Sequence, residues 1–206
     1  MWNNLFDPEN SFWSFMAKIA DIFYVSLIFL LFSLPLITIG ASITALLSFT
    51  LKQSENRDGY IFKTFLNAFK MNFKQSTAVY ILTMLVGSFF FLDYYALFTF
   101  TLPQIFKILT FSAVTFLAIV SIMIIIYIFP LIAYYRVSLK KAIKDSLYLA
   151  INNIGSTVFI MLIYTFISYL CYRYTLFSFL FVALGFFAVS PIFSRIFRKI
   201  DEVPQT

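Results

Sequence analysis

The residue types that most often carry chemistry are scarce in this sequence. It contains no histidine, which removes the commonest general base and metal ligand. Its one cysteine, Cys171, can form neither an internal disulfide nor a metal cluster. The chain also lacks a phosphate-binding GxxxxGK[ST] loop and a GxSxG nucleophile turn. We therefore expect a protein that is not an enzyme, and we assign no catalytic, metal-binding or cofactor-binding residue.

Asp93 is the best single candidate for a functional polar residue. It directly follows the uncharged stretch 75–92, and a charge inside a membrane span is costly and often marks an ion or substrate path. Arg173 and Lys107 are possible partners for it, since all three residues are predicted on the outer side of the membrane. The alternative, which we favour, is that Asp93 lies hydrated at headgroup depth.

Pro35, Gly40 and Pro130 are candidates for structural roles. Pro35 predicts a kink in the first apolar stretch, because proline removes a backbone donor and clashes with the preceding turn. Gly40 opens a run of small residues that would let two helices approach closely in lipid. The functional alternative is a hinge or a broken helix that lines a transport pathway. We favour plain packing, because proline and glycine are frequent in membrane helices.

The elements that position these residues are predicted to be transmembrane helices. Only 12% of the 206 residues are charged and 62% are apolar, whereas soluble domains carry about 25% charged residues. Stretches free of charge run over residues 22–51, 75–92, 108–135, 146–172 and 174–194, and a spanning helix needs about 20 apolar residues. The sequence predicts a single all-α membrane domain, a bundle of about five transmembrane helices at residues 19–46, 76–99, 107–134, 155–172 and 175–194.

The basic residues predict an orientation. With five spans, 12 of the 15 lysines and arginines fall on one side and 3 on the other. Because lysine and arginine are retained on the cytoplasmic side during insertion, we expect an external amino terminus and a cytoplasmic carboxyl terminus. This asymmetry, together with attraction to anionic lipid, explains the net charge of +6 without a nucleic-acid partner.

Two cytoplasmic segments are predicted to form amphipathic helices, at residues 60–74 and 138–153. Each combines an apolar face with a basic face, and the basic residues are Lys63, Lys70, Lys74, Lys140, Lys141 and Lys144. The two helices either dock a soluble partner or lie on the bilayer with their lysines facing anionic lipid. The sequence alone slightly favours the bilayer.

Several stretches resemble the YesL family of bacterial integral membrane proteins. They are residues 10–21, the run LPLITIGA at 34–41, the run FLNAFKMNFKQ at 65–75, and the shorter matches at 129–131 and 190–193. The resemblance implies a multi-pass protein of the bacterial cytoplasmic membrane, of a kind often encoded beside carbohydrate ABC transporters. The family has no established activity, so the resemblance supplies no catalytic residue.

Two functions remain open from the sequence. The leading hypothesis is a non-enzymatic accessory or regulatory protein associated with carbohydrate ABC transport, with membrane lipid and the transporter as partners. The alternative is an independent small-solute transporter or channel, in which Pro35, Gly40, Pro130 and Asp93 would belong to a pathway. Five spans of mostly apolar residues leave few polar groups for a pore in a monomer, so this alternative would call for a homo-oligomer.

Overall fold

The protein is a bundle of α-helices, as the sequence predicted. The computed structural model describes residues 11–55, 59–100, 103–135 and 137–202. Within them the helices are α1 (Ser11–Ser33), α2 (Ile39–Ser54), α3 (Ile61–Thr99), α4 (Gln104–Tyr134), α5 (Leu139–Asn152), α6 (Ile154–Arg173) and α7 (Ser178–Asp201), with short 3-10 turns at Leu36–Thr38 and Thr175–Phe177. In this described part, six helical segments are long and apolar enough to cross a membrane, by length and composition.

The first apolar stretch is two helices and not the single kinked helix predicted for residues 19–46. α1 ends at Ser33 and α2 begins at Ile39. The backbone N–H of Thr38 donates to the carbonyl oxygen of Pro35 at 2.9 Å, and the Thr38 hydroxyl donates to the carbonyl oxygen of Phe32 at 2.6 Å. Pro35 therefore lies in a turn that separates two helices, because the chain reverses there instead of bending.

α1 and α2 run antiparallel as a helical hairpin. At its open end, Gln53 Nε2 donates to Asp21 Oδ2 at 3.4 Å. Further along, Phe29 of α1 shares a buried apolar cluster with Ala45 and Phe49 of α2. The start of α1 and the end of α2 consequently lie at the same end of the hairpin.

The predicted external amino terminus stays a prediction, and the hairpin suggests the opposite orientation. Lys18 lies near the start of α1, at the end of the hairpin that also carries Lys52. If α1 and α2 each cross the membrane, the chain makes six crossings. In that case 13 of the 15 basic residues fall on one side, and only Lys107 and Arg173 fall on the other. This division fits the retention of lysine and arginine in the cytoplasm better than the five-span division. The start of α1 and the ends of α2 and α7 lie at one end of the bundle, and the charge division favours the cytoplasmic side for that end.

α3 joins two elements that the sequence separated. The predicted amphipathic helix 60–74 and the predicted span 76–99 form one helix of 39 residues, about 58 Å long at the standard rise per residue. The second amphipathic helix remains separate, because α5 and α6 are divided at Asn153 by a non-helical backbone with φ −118° and ψ 46°. α7 continues to Asp201, past the predicted limit at residue 194.

Hydroxyl side chains lie inside the bundle while large apolar side chains cover much of its outside. Ten serines and threonines are buried among the described residues, including Thr44, Thr50 and Ser190. By contrast, Leu85 and Phe91 on α3 are 63% and 71% exposed. Small and hydroxyl side chains favour close helix packing in lipid, and an apolar exterior matches a hydrocarbon solvent. This distribution agrees with a membrane helical bundle.

Candidate cytoplasmic docking site

The predicted partners of Asp93 contact aromatic rings instead. Asp93 is half-buried in the last third of α3. Lys107 Nζ lies 5.8 Å from the centroid of the Phe98 ring, and Arg173 Cζ lies 5.7 Å from that of Tyr174, both within the range of cation–π attraction. Across the described ranges, Asp93 forms no ion pair with either cation. The geometry supplies no charge pair that would define a site around Asp93.

Gly40 and Pro130 have packing roles. A Cβ added at Gly40 would lie 2.5 Å from the Ser76 carbonyl oxygen and 2.5 Å from Tyr80 Cβ, so the backbones of α2 and α3 are in direct contact there. Pro130 is buried within α4, near its end. Neither residue lines the cavity of about 710 Å³ between α3 and α4.

This cavity lies between the second half of α3 and the middle of α4. Its lining is mostly apolar, with Met84, Phe90 and Phe91 among the side chains, and its hydroxyl groups come from Thr83, Ser88 and Ser121. A path for ions or sugars requires polar groups that replace the hydration shell. This apolar lining does not supply them.

The apolar face of the first predicted amphipathic helix is covered by protein. Phe65 is fully buried, and the Phe32 ring centroid of α1 lies 5.5 Å from that of Phe65 and 5.0 Å from that of Phe69. A face packed against the α1–α2 hairpin is not available to the bilayer. The lysines of the opposite face, Lys63, Lys70 and Lys74, are exposed.

The second amphipathic helix, α5, uses its apolar face in the same way. Ala142 and Ala150 are fully buried and Leu149 is 3% exposed. Ala142 clusters with Ile128 and Ile132 of α4, and the other two cluster with side chains of α4 and α7. The basic residues Lys140, Lys141 and Lys144 are exposed. Part of the apolar face is thus covered by protein in both helices, while Phe62 and Ile151 stay 47% and 60% exposed. The bilayer arrangement that the sequence slightly favoured stays a prediction.

A polar cavity of about 470 Å³ opens between the end of α2, the start of α3 and the end of α4. We call it the basal cavity. Its polar lining residues are Ser48, Lys52, Tyr60, Lys63, Thr64, Asn67, Asn72, Tyr134 and Tyr135. It combines two ammonium groups with amide and hydroxyl donors, so it suits an anionic group such as a carboxylate.

The two tyrosines of the basal cavity connect the end of α4 to the ends of α2 and α7 through hydrogen bonds. The Tyr134 hydroxyl donates to Glu55 Oε1 at 3.0 Å, just beyond α2. The Tyr135 hydroxyl donates to Asp201 Oδ1 at 2.7 Å, at the end of α7. Burial, and then the hydrogen bond and charge of Asp201, raise the pKa of Tyr135 above its ordinary value. The phenol therefore stays protonated and keeps its donor role at physiological pH.

Sequence reasoning identified Lys63 but missed the rest of the basal cavity. Lys52, Asn67 and Asn72 are separated from Tyr134 and Tyr135 by more than 60 positions, so only the packing of α3 on α2 and α4 brings them together. The signal that existed was the tyrosine pair at the end of a long apolar stretch, where aromatic residues favour the interface.

The basal cavity and the exposed lysines present hydrogen-bond donors and positive charges. The chain has no histidine, and the described residues include no group of three or more histidine, cysteine, aspartate or glutamate side chains placed to hold a metal ion. The polar groups present are donors and fixed charges. Such an arrangement can hold an acidic surface in place, because charge-assisted hydrogen bonds are the strongest of their kind.

Residues 22–94 match the model of a family described as a protein of unknown function, DUF624. YesL-like proteins belong to this family, so the match confirms the resemblance drawn from the sequence runs. The matched range covers most of α1, all of α2 and α3 as far as Tyr94. No curated protein and no solved structure matches the chain.

Proposed function

We propose, from the family of residues 22–94 and the geometry of the cytoplasmic face, that the protein is a non-enzymatic accessory or regulatory membrane protein. It would act by docking an acidic surface of a partner on the exposed lysines of α3 and α5 and in the basal cavity. The observation that carries the proposal is the continuity of α3, which places Lys63, Lys70 and Lys74 on the same helix as a membrane span.

This continuity gives docking a mechanical consequence. A helix has no flexible joint between Lys74 and the apolar residues that follow Ser76, so a force on the basic part reaches the membrane part. The basic part is also fixed against the α1–α2 hairpin through Phe65. A partner bound there would be held in a defined orientation to the bundle, which is what an accessory subunit requires.

The partner that the YesL resemblance implies is a carbohydrate ABC transporter in a bacterial cytoplasmic membrane. A permease offers transmembrane helices, and its associated ATPase offers a soluble surface. The exposed apolar side chains of α3, α4 and α6 would contact the transmembrane helices of the permease. The lysines of α3 and α5 would contact the soluble surface of the ATPase.

In-cell crosslinking tests the docking. A photo-crosslinking residue replaces Lys70 in the natural host. A control replaces Lys107, which is also basic but is half-buried and lies near the start of α4, away from the lysines of α3 and α5. We expect Lys70→photo-crosslinker to capture a transporter subunit and the control to capture none. Capture of lipid alone at position 70 would contradict docking, and capture of a protein unrelated to transport would contradict the carbohydrate association.

The rival function is an independent small-solute transporter or channel. One observation favours it: the break between α1 and α2 at Pro35, since broken helices form the binding sites of several transporters. The apolar lining of the α3–α4 cavity argues against it for a monomer. Purified protein in liposomes that moves labelled sugars or ions faster than protein-free liposomes would establish the rival.

A further inference from the structure

A second cationic groove lies away from the basal cavity, between the start of α6 and the end of α7. Its volume is about 560 Å³. The lining residues are Asn153, Gly155, Ser156, Phe159, Ile192, Arg195, Ile196, Arg198, Lys199 and Glu202. We call it the α6–α7 groove. None of the lysines of α3 and α5 contributes to it.

The charge of the α6–α7 groove is positive and concentrated. Arg198 and Lys199 lie three and four residues after Arg195, which places both beside Arg195 on one side of α7. All three are exposed. Glu202 supplies one negative charge, so the groove carries a net charge of +2. Within the described part of the chain, none of the three cations forms an ion pair, which leaves them available to an external anion.

The groove continues onto an apolar, lipid-facing surface. Its own wall includes Phe159, which is 57% exposed, and the half-buried Ile192. Beside Phe159 on α6 lie Val158 and Leu162, with exposed fractions of 52% and 63%. An apolar strip that begins directly at a cationic cluster matches a molecule with an anionic head and a hydrocarbon chain.

We propose that the α6–α7 groove binds an anionic phospholipid of the cytoplasmic leaflet. The guanidinium groups of Arg195 and Arg198 would hold the phosphodiester, because arginine matches phosphate oxygens in a bidentate geometry. An acyl chain would follow Phe159 and Ile192. Basic pockets between transmembrane helices on the cytoplasmic side are suited to such headgroups. The apolar wall selects a lipid as the source of the phosphate, since a soluble phosphate gains nothing from it.

Lipid retention by purified protein tests this proposal. The protein is titrated with phosphatidylglycerol or phosphatidylcholine in detergent micelles, and bound lipid is counted by native mass spectrometry. We expect tighter binding of phosphatidylglycerol, and binding about ten- to thirty-fold weaker in the double variant Arg195→Gln/Arg198→Gln, from roughly 1 kcal/mol for each basic residue. The charge-matched control Lys107→Gln/Arg173→Gln, on α4 and α6 and outside the groove, should keep the affinity of the unmodified protein.

Three results would overturn the proposal: equal affinity for the two lipids, equal weakening in the Lys107→Gln/Arg173→Gln control, or competition by soluble glycerol phosphate at the lipid's own concentration. The last would assign the groove to a free phosphate compound. If the double variant fails to give a monodisperse helical protein, the single variant Arg198→Gln replaces it, with an expected weakening of about five-fold. The assay contains no transporter, so its outcome is independent of the docking proposed above.

Discussion

Ser190 Oγ of α7 lies 2.6 Å from Thr50 Oγ1 of α2, and one turn further along both helices Ser194 Oγ lies 2.6 Å from Ser54 Oγ. The two contacts keep the same register, so α2 and α7 run parallel where they touch. Both hydroxyls of the first pair are buried. Each hydroxyl also has a backbone carbonyl acceptor in its own helix, Leu47 for Thr50 and Phe186 for Ser190, and the contact between the two hydroxyls joins the helices.

Removing this pair should destabilise the bundle measurably. We expect Thr50→Val and Ser190→Ala each to cost about 1 kcal/mol in the free energy of unfolding. The double variant should reveal a coupling of about 0.6 kcal/mol, the average for interhelical hydrogen bonds in a membrane protein. Reversible unfolding in mixed micelles measures all four proteins of the cycle.

The control for this cycle is Thr165→Val. The Thr165 hydroxyl is exposed and donates only to the carbonyl oxygen of Met161 in its own helix. Its removal breaks no contact between helices, so the unfolding free energy should stay within about 0.5 kcal/mol of the unmodified protein. A coupling of zero between Thr50 and Ser190 would mean that the pair contributes packing alone.

Gly40→Ala should destabilise the contact between α2 and α3. The new methyl group would meet the Ser76 carbonyl oxygen and Tyr80 Cβ at 2.5 Å, so the two helices would have to separate. Overpacking of this kind costs about 1–3 kcal/mol. Thermal unfolding in mild detergent, followed by circular dichroism, measures the loss.

Gly87→Ala is the matched control, because the same methyl group at Gly87 of α3 would have no heavy atom within 4 Å. There alanine should be neutral or stabilising, by up to about 1 kcal/mol, from its better helix propensity. Equal destabilisation by both substitutions would show that the α2–α3 contact is looser than its geometry indicates.

Sequence patterns predicted the apolar helices well and their connections poorly. The charge-free stretches around α4 and α6 are long and bounded by charged residues, so local composition defines them. At Pro35 the composition does not distinguish a kinked span from a hairpin, because either structure gives one continuous apolar stretch in the sequence. What separates them is tertiary: Asp21 meeting Gln53, and Phe29 packing near Ala45. The basal cavity was missed for the same reason, since it is assembled from three separate helices.

The bond between Tyr135 and Asp201 should make stability depend on alkaline pH. Burial and Asp201 raise the folded-state pKa of Tyr135 above its ordinary value of 10.0, so the folded state holds the proton more tightly than the unfolded state. Its stabilising contribution is complete below pH 10 and is lost as the pH rises through the folded-state pKa. The unfolding temperature should therefore fall more steeply with pH above pH 10 in the unmodified protein than in the Tyr135→Phe variant. Parallel slopes in the two proteins would contradict the shift.

The hairpin of α1 and α2 predicts a cytoplasmic amino terminus, whether the hairpin crosses the membrane fully or enters and returns. In a Cys171→Ser background, single cysteines at Lys18, Lys107 and Lys140 are exposed to a membrane-impermeant maleimide on intact cells. We expect labelling of Lys107→Cys only, with Lys18→Cys and Lys140→Cys reacting once the membrane is opened. Labelling of Lys18→Cys on intact cells would support the external amino terminus predicted from the sequence. It would also mean that the start of α1 and the end of α2 lie on opposite sides of the membrane.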